Sequence, residues 1–277
     1  MADYIKYEIE VTDEGQAEIL TAYLSDFPFE SFESDERALC AYIRSDEAEA
    51  YTEDIQATLE GLKWCSTEIK SQNWNTLWES NFTEVEVDNE VLIRAPFHTP
   101  RPEFGEREIV IQPKMSFGTG HHSTTQLMVR MLLDAEAQNR RVLDMGSGTG
   151  VLAILAARLG AESVLAVEID DMAEESVREN ISINGVAERV ESICGDVAAI
   201  EGRHFDIILA NINRNILLRD MADYCATLNA GGLLVISGFL EEDIAPLTQR
   251  AEELGLSHER HLSHEGWQAL SFRLNGK

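Results

Sequence analysis

One stretch constrains this chain more than any other. Val142-Leu143-Asp144 has the character of a buried strand, runs into Met145-Gly146-Ser147-Gly148-Thr149-Gly150, and continues as the helical run Val151-Leu152-Ala153-Ile154. A glycine-rich turn between strand and helix lets backbone approach a ligand closely, at the C-terminal edge of a parallel sheet where open α/β folds bind their ligands. The spacing selects among ligands. A dinucleotide fingerprint, G-x-G-x-x-G, requires glycine at position 151, and Val151 stands there; the pattern is G-x-G-x-G.

Repeated strand-helix units surround this turn. RVLDMG, SVLAVEID, RVESIC, FDIILAN and GGLLVISG read as strands, and helices are expected to start near Gly150, Met172, Ile216 and Glu241. That alternation predicts a parallel, doubly wound, Rossmann-like sheet. The N-terminal part has a different grammar. Tyr4 to Val11 reads as a strand, Glu14 to Leu24 as a helix capped by Thr12 or Asp13, Phe27 to Phe32 (interrupted by Pro28) and Ala38 to Ile43 as two strands, Asp46 to Leu62 as a second helix, and Trp64 to Ile69 as a strand. This order predicts a small ferredoxin-like α+β domain. Asn73 to Phe82 reads as a short connecting helix with Trp74 and Trp78 on one face, and Glu84 to Ile111 as β-hairpin structure. The expected organisation is a substrate-recognition domain over 1–70, a linker helix over 71–83 and a catalytic domain over 84–277.

Charge narrows the partners. The formal net charge is −28, and residues 1–80 hold 5 Lys and Arg against 19 Asp and Glu, half of the excess on under a third of the chain. Nucleic-acid binding depends on cations that neutralise phosphates, so a direct DNA or RNA substrate is disfavoured and a basic protein partner favoured; a solvated acidic surface is the plainer alternative. No apolar run is long enough to span a membrane and the first residues lack a secretory pattern, so a cytoplasmic protein is expected, with monomer the expected state. Cys40, Cys65, Cys194 and Cys225 form no CxxC pair and have no histidine at ligand spacing, which predicts free thiols and no metal site.

The G-x-G-x-G turn resembles the first motif of class I S-adenosylmethionine methyltransferases. Asp144, just before it, is placed either to orient the cofactor's amino group through the loop or water, or to stabilise the turn. Glu168, at the end of AVEID, is expected to accept hydrogen bonds from both ribose hydroxyls, whereas Asp170 and Asp171 read as caps of the next helix. Asp196, in GDV after the third strand, stands where an acid meets the adenine amino group in this class, or is a loop aspartate. Asn211 ends the fourth strand across the switch point. An amine acceptor must be held neutral with its lone pair aimed at the methyl, which calls for a polar acceptor there. The Asn-Pro-Pro-aromatic signature of adenine and glutamine methyltransferases is absent. Upstream, Phe117-Gly118-Thr119-Gly120-His121-His122-Ser123-Thr124-Thr125 is a second glycine-bearing loop, read as a lid with its histidines structural or substrate-side.

Taken together, FGTGHHSTT, VLDMGSGTG, AVEID and LANI, with NW-x-x-x-W before them, resemble the PrmA family of ribosomal protein L11 methyltransferases. The resemblance implies a Rossmann-like seven-stranded catalytic domain and S-adenosylmethionine as cofactor, contacted by Thr125, Gly146, Glu168 and Asn211 with Gly148 in the same turn. It implies methylation of lysine ε-amines and the N-terminal α-amine of L11. Family members commonly carry aspartate where this chain has Glu168, one methylene longer; His122 matches the family histidine, while His121 and Ser123 fall at variable positions. No residue stands out as a required base. Alternatives are a silent cofactor-binding assembly factor, a methyltransferase of another basic protein, and one acting on a small molecule or nucleic acid.

Overall fold

A computed structural model describes residues 4–34, 37–69, 82–113 and 118–276. The chain divides into two compact units, Met1–Phe82 and Thr83–Lys277. The expected linker helix, with Trp74 and Trp78, lies almost entirely outside the described residues.

In the first unit β1 (Tyr4–Glu10), α1 (Glu14–Leu24), β2 (Phe29–Ser34), β3 (Ala38–Arg44), α2 (Ser45–Thr58) and β4 (Trp64–Ile69) follow the expected order. The strands form an antiparallel sheet in the order β2-β3-β1-β4, the ferredoxin-like arrangement. Alternation fixes the register: Tyr7 pairs with Ala41 and Ile9 with Leu39, all four buried, while Glu8 and Glu10 between them face outward. Asp13 caps α1 by accepting the Gln16 N–H at 2.9 Å. The second helix stops four residues before the expected Leu62. The apolar pattern continues through Leu59 and Leu62, but Gly61 sits at φ +82°, and this left-handed residue turns the chain out of the helix.

The second unit opens with β5 (Val85–Val87) and β6 (Val91–Arg94), an antiparallel hairpin, and β7 (Glu108–Val110), which pairs with β6 in parallel after a 3-10 turn over Pro102–Arg107. The expected hairpin therefore covers only part of a three-stranded sheet. Then come α3 (Ser123–Asp134), β8 (Arg141–Met145), α4 (Val151–Arg158), β9 (Ser163–Glu168), α5 (Asp171–Ile183), β10 (Val190–Cys194), β11 (Phe205–Asn211), α6 (Arg214–Thr227), β12 (Leu228–Leu240), α7 (Ile244–Glu253), β13 (Leu256–His264) and β14 (Trp267–Leu274). The seven-stranded sheet has the order β10-β9-β8-β11-β12-β14-β13.

Its central strands β8, β9, β11 and β12 are near-continuous apolar runs because both faces are covered, whereas the edge strand β13 (LSHERHLSH) is largely exposed. Val142, Ala166, Leu209 and Val235 pack with α3, α4 and α5; their neighbours Leu143, Val167, Ala210 and Ile236 pack with α6 and α7. The five strands expected from the sequence, β8 to β12, run parallel, and the two strands beyond them complete the sheet. β14 runs antiparallel to both β12 and β13, as the last arm of a hairpin whose turn residues Glu265 (φ +49°) and Gly266 (φ +84°) reverse the chain at once. A two-residue turn of this kind pairs strands only antiparallel.

Two asparagines four positions apart, Asn180 in the last turn of α5 and Asn184 as its C-cap, hold the entry segment, and Asn180 ties it to the glycine turn. Asn184 exchanges hydrogen bonds with Val110 N–H and C=O, and Asn180, fully buried, accepts from Gln112 N–H (2.8 Å) while donating to the Thr149 carbonyl (2.9 Å). Asn180→Ala orphans both buried backbone groups. Urea denaturation should show a loss of about 2–4 kcal/mol, at the usual ~1–3 kcal/mol per unsatisfied group; a loss below about 1 kcal/mol would mean that these bonds are readily replaced.

Candidate functional site

The strand order reverses between β8 and β11, so the loops leaving their C-terminal ends diverge and open a crevice. Met145 pairs with Ala210 across this boundary, which sets Gly146 and Asn211 side by side at the sheet edge. Gly146 has φ +71°, and a Cβ there would stand 2.5 Å from Ile212 Cγ2. Glycine is thus required twice over, by conformation and by space. Gly146 and Ser147 both donate to the Val167 carbonyl, at 2.9 and 3.1 Å, which fastens the turn to β9.

Glu168, at the end of β9, is held by backbone donors. One carboxylate oxygen accepts from Gly148 N–H at 2.8 Å, and the other from Ile169 N–H at 2.9 Å. The longer glutamate arm therefore bridges from its own strand to the glycine turn. Asp144 lies beneath the turn, 1% exposed, and accepts from Ala153 N–H in the first turn of α4 at 3.0 Å. It anchors the helix to its preceding strand. Withdrawal from water, with Glu168's charge adding to it, pushes its carboxyl up to about 7 against the pull of the Ala153 bond. Asp196 stands apart from this group. It is exposed and caps the short 3-10 turn Val197–Ile200 through Ala198 N–H, while its neighbour Gly195 donates to the Glu168 carbonyl.

The second glycine-bearing loop meets the first: the Thr149 hydroxyl donates to the Gly118 carbonyl at 2.6 Å. Phe117 lies outside the described residues. His122 caps α3, and its Nδ1 lies 2.8 Å from the Thr124 hydroxyl. Its ring meets that of Trp267 edge to face, with centroids 4.8 Å apart. His122, Thr124, Asn211, Ile212, Asn213, Gly238 and Trp267 line a cavity of about 220 Å³. A larger cavity, about 610 Å³, opens at the opposite, N-terminal edge between Arg141, Arg189, Arg203 and His204. It contains none of the residues the glycine turn gathers.

Five buried side-chain oxygens have no hydrogen-bond partner among the described residues; Ser45 Oγ and Tyr224 Oη lie in α2 and α6, and the other three are Thr125 Oγ1, Ser147 Oγ and Asn211 Oδ1. These three come from the first turn of α3, the glycine turn and the end of β11. Unsatisfied buried polar atoms cost about 1–3 kcal/mol each, so three at one sheet edge signal a ligand with matching donors and acceptors. Ser147 escaped the sequence reading because a serine between glycines looks like any turn serine. Trp267 lies beyond GGLLVISG, the last strand that the sequence pattern marks, and its one local signal is the EG dipeptide before WQALSF, which reads as a turn. Among the described residues, no three His, Cys, Asp or Glu side chains are grouped to hold a metal ion, and the four cysteines are free.

Residues 9–275 match the family model described as "Ribosomal protein L11 methyltransferase (PrmA)". The chain is 45% identical to the ribosomal protein L11 methyltransferase of Porphyromonas gingivalis over 97% of both chains, and 39% identical to that of Bacteroides fragilis over 93% of this chain and 94% of the other. Among solved structures, that of the ribosomal protein L11 methylase of Lactobacillus delbrueckii subsp. bulgaricus superposes with a TM-score of 0.65 at 28% identity, covering 70% of this chain and all of that one.

Proposed function

The chain belongs to the ribosomal protein L11 methyltransferase family, and on that premise we propose that it transfers methyl groups from S-adenosylmethionine to lysine ε-amines and the N-terminal α-amine of ribosomal protein L11. The observation that carries the assignment to this site is the set of unpartnered oxygens of Thr125, Ser147 and Asn211 around a glycine turn that tolerates no side chain at position 146. A zwitterionic nucleoside has the donors they lack.

S-adenosylmethionine supplies a methyl group on a sulfonium, whose departure leaves the bonding electron pair on a neutral thioether. The chain's own work is binding and alignment. Gly146 and Gly148 admit the methionine portion beside bare backbone. Glu168, oriented by Gly148 and Ile169 N–H groups, accepts from the ribose hydroxyls. Asp196, after β10, would accept from the adenine amino group. Thr125 and Ser147 complete the polar lining, and Asp144 acts on the cofactor's amino group through the turn it supports. Asn211 accepts an N–H of the incoming neutral amine and so points the lone pair at the methyl. The nitrogen gains a methyl and loses a proton to water. Because the leaving group is already good, alignment and exclusion of water outweigh acid-base chemistry.

The first unit, with most of its charge acidic, is the part of the chain suited to hold a basic protein. The same reading has the enzyme act as a cytoplasmic monomer without direct nucleic-acid contact. The direct test is mass spectrometry of purified L11 incubated with the enzyme and S-adenosylmethionine, with Gly146→Arg as the blank. Gains in steps of about 14 daltons, absent in the blank, are expected for successive N–H to N–CH₃ exchange at a site the variant fills. Wild-type enzyme that binds cofactor but leaves L11 unmodified would return the choice to another basic protein or to a silent assembly factor.

A further inference from the structure

The cavity beside Asn211 has two walls of distant origin. His122 and Thr124 belong to the start of α3, and Trp267 to the start of β14. They are joined at one side by the ring contact between His122 and Trp267. At the other side, between the same two elements, the Ser123 hydroxyl donates to Glu265 Oε2 at 2.6 Å, across 142 positions of sequence. Ser123 is buried, whereas Glu265 is exposed at the hairpin tip and held at φ +49°. A non-glycine residue in that conformation carries a strain of about 1 kcal/mol or more, which its contacts must offset. The remainder of the tip is also fastened: Gln268 Nε2 donates to the Gly266 carbonyl, and the Ser237 hydroxyl to the Gln268 carbonyl at 2.7 Å. These bonds tie the hairpin down up to Glu265, and the bond to Ser123 ties its tip to the start of α3.

Resting on the proposed reaction, we infer that Glu265 is a positioning residue whose bond to Ser123 sets the width of the acceptor cavity and thereby how many methyl groups one amine receives. Each transfer replaces N–H by a larger N–CH₃, so the second and third transfers demand that the walls hold a bulkier head while its lone pair stays in line. Loosened walls still admit an unmethylated amine. They align a partly methylated one poorly, and it leaves before the next transfer.

The test compares wild type, Glu265→Ala, Glu265→Gln, Ser123→Ala and the double Ala variant, with L11 as acceptor, measuring melting temperature, cofactor affinity, KM for L11 and the ratio of mono-, di- and trimethylated amine. Glu265→Ala should raise KM about tenfold, the equivalent of one charge-assisted hydrogen bond. It should shift products toward lower methylation states and leave cofactor affinity unchanged. Glu265→Gln, which keeps an acceptor oxygen, should recover the wild-type product ratio, and the double variant should resemble either single one because both remove the same bond. An unchanged product ratio in Glu265→Ala, additive effects of the two Ala substitutions, or an equal loss of cofactor affinity would each overturn the inference. If wild type itself leaves L11 unmethylated, the proposed function fails first and this inference with it.

Discussion

Asn211→Leu should lower kcat about a hundredfold, within the 10²–10³ range seen when one well-placed polar group is taken from a reaction centre, while cofactor affinity falls by less than about tenfold. The backbone that presents Asn211 is fixed independently of its side chain. Asn211 pairs with Ser237 in register, Ile212 donates to the Ser237 carbonyl at 3.1 Å, and Asn213 caps α6 by accepting from Ile216 N–H. Gly238 lets the segment lie this close, since a Cβ there would come within 2.5 Å of the Ile212 carbonyl oxygen. Leucine removes the acceptor without moving the chain. Its effect on stability should have the opposite sign, because the amide oxygen is buried without a partner among the described residues; the cofactor-free variant should melt at or above the wild-type temperature. Structural residues lose stability and rate together. A variant that keeps kcat within threefold, or that melts lower in proportion to its lost activity, would remove Asn211 from the reaction centre.

The residues at this edge differ in how far sequence alone could place them. The placement of Asn211 and Glu168 at strand ends is legible because each is a polar residue ending an apolar run, FDIILAN and SVLAVE. In a sheet buried on both faces such a residue has somewhere to go only at the strand's end. The turn between β8 and α4 is legible because its glycines stand between two apolar runs, and Gly146, Gly148 and Gly150 all take positive φ. The ferredoxin-like order followed from local periodicity, which Tyr7, Ile9, Leu39 and Ala41 satisfy. What escaped depends on partners far along the chain. Whether WQALSFRL runs parallel or antiparallel is decided by the hairpin that delivers it, and that Trp267 would face His122 follows only from β14 lying between β12 and β13. Likewise α3 and the hairpin tip meet across 142 positions, a distance that no windowed pattern reports.

Asp144 yields the second large effect, in stability against pH. Its carboxyl is held up at about 7, above the ordinary 3.8, mainly by burial. The folded state therefore binds this proton more tightly than the unfolded chain does. The stabilising contribution is complete below the unfolded pKa and is lost as pH rises through the window from 3.8 to about 7. Over the whole window the loss is on the order of 4 kcal/mol, at ~1.4 kcal/mol for each pH unit crossed, and roughly half of it falls between pH 5.5 and 8. Asp144→Asn keeps an oxygen to accept from Ala153 N–H and has no proton to lose. Urea denaturation of both proteins should show wild type losing about 2 kcal/mol relative to the variant from pH 5.5 to 8, other groups cancelling in the difference; parallel curves would mean the carboxyl titrates as it does in water. Repeating the titration with saturating S-adenosylmethionine separates the two roles open to Asp144. If its carboxylate acts on the cofactor's cationic amino group, the nearby positive charge lowers its pKa, the pH-dependent difference shrinks, and the cofactor binds more tightly as pH rises through 7. If Asp144 only anchors α4, the difference survives saturation and cofactor affinity is flat across the same range.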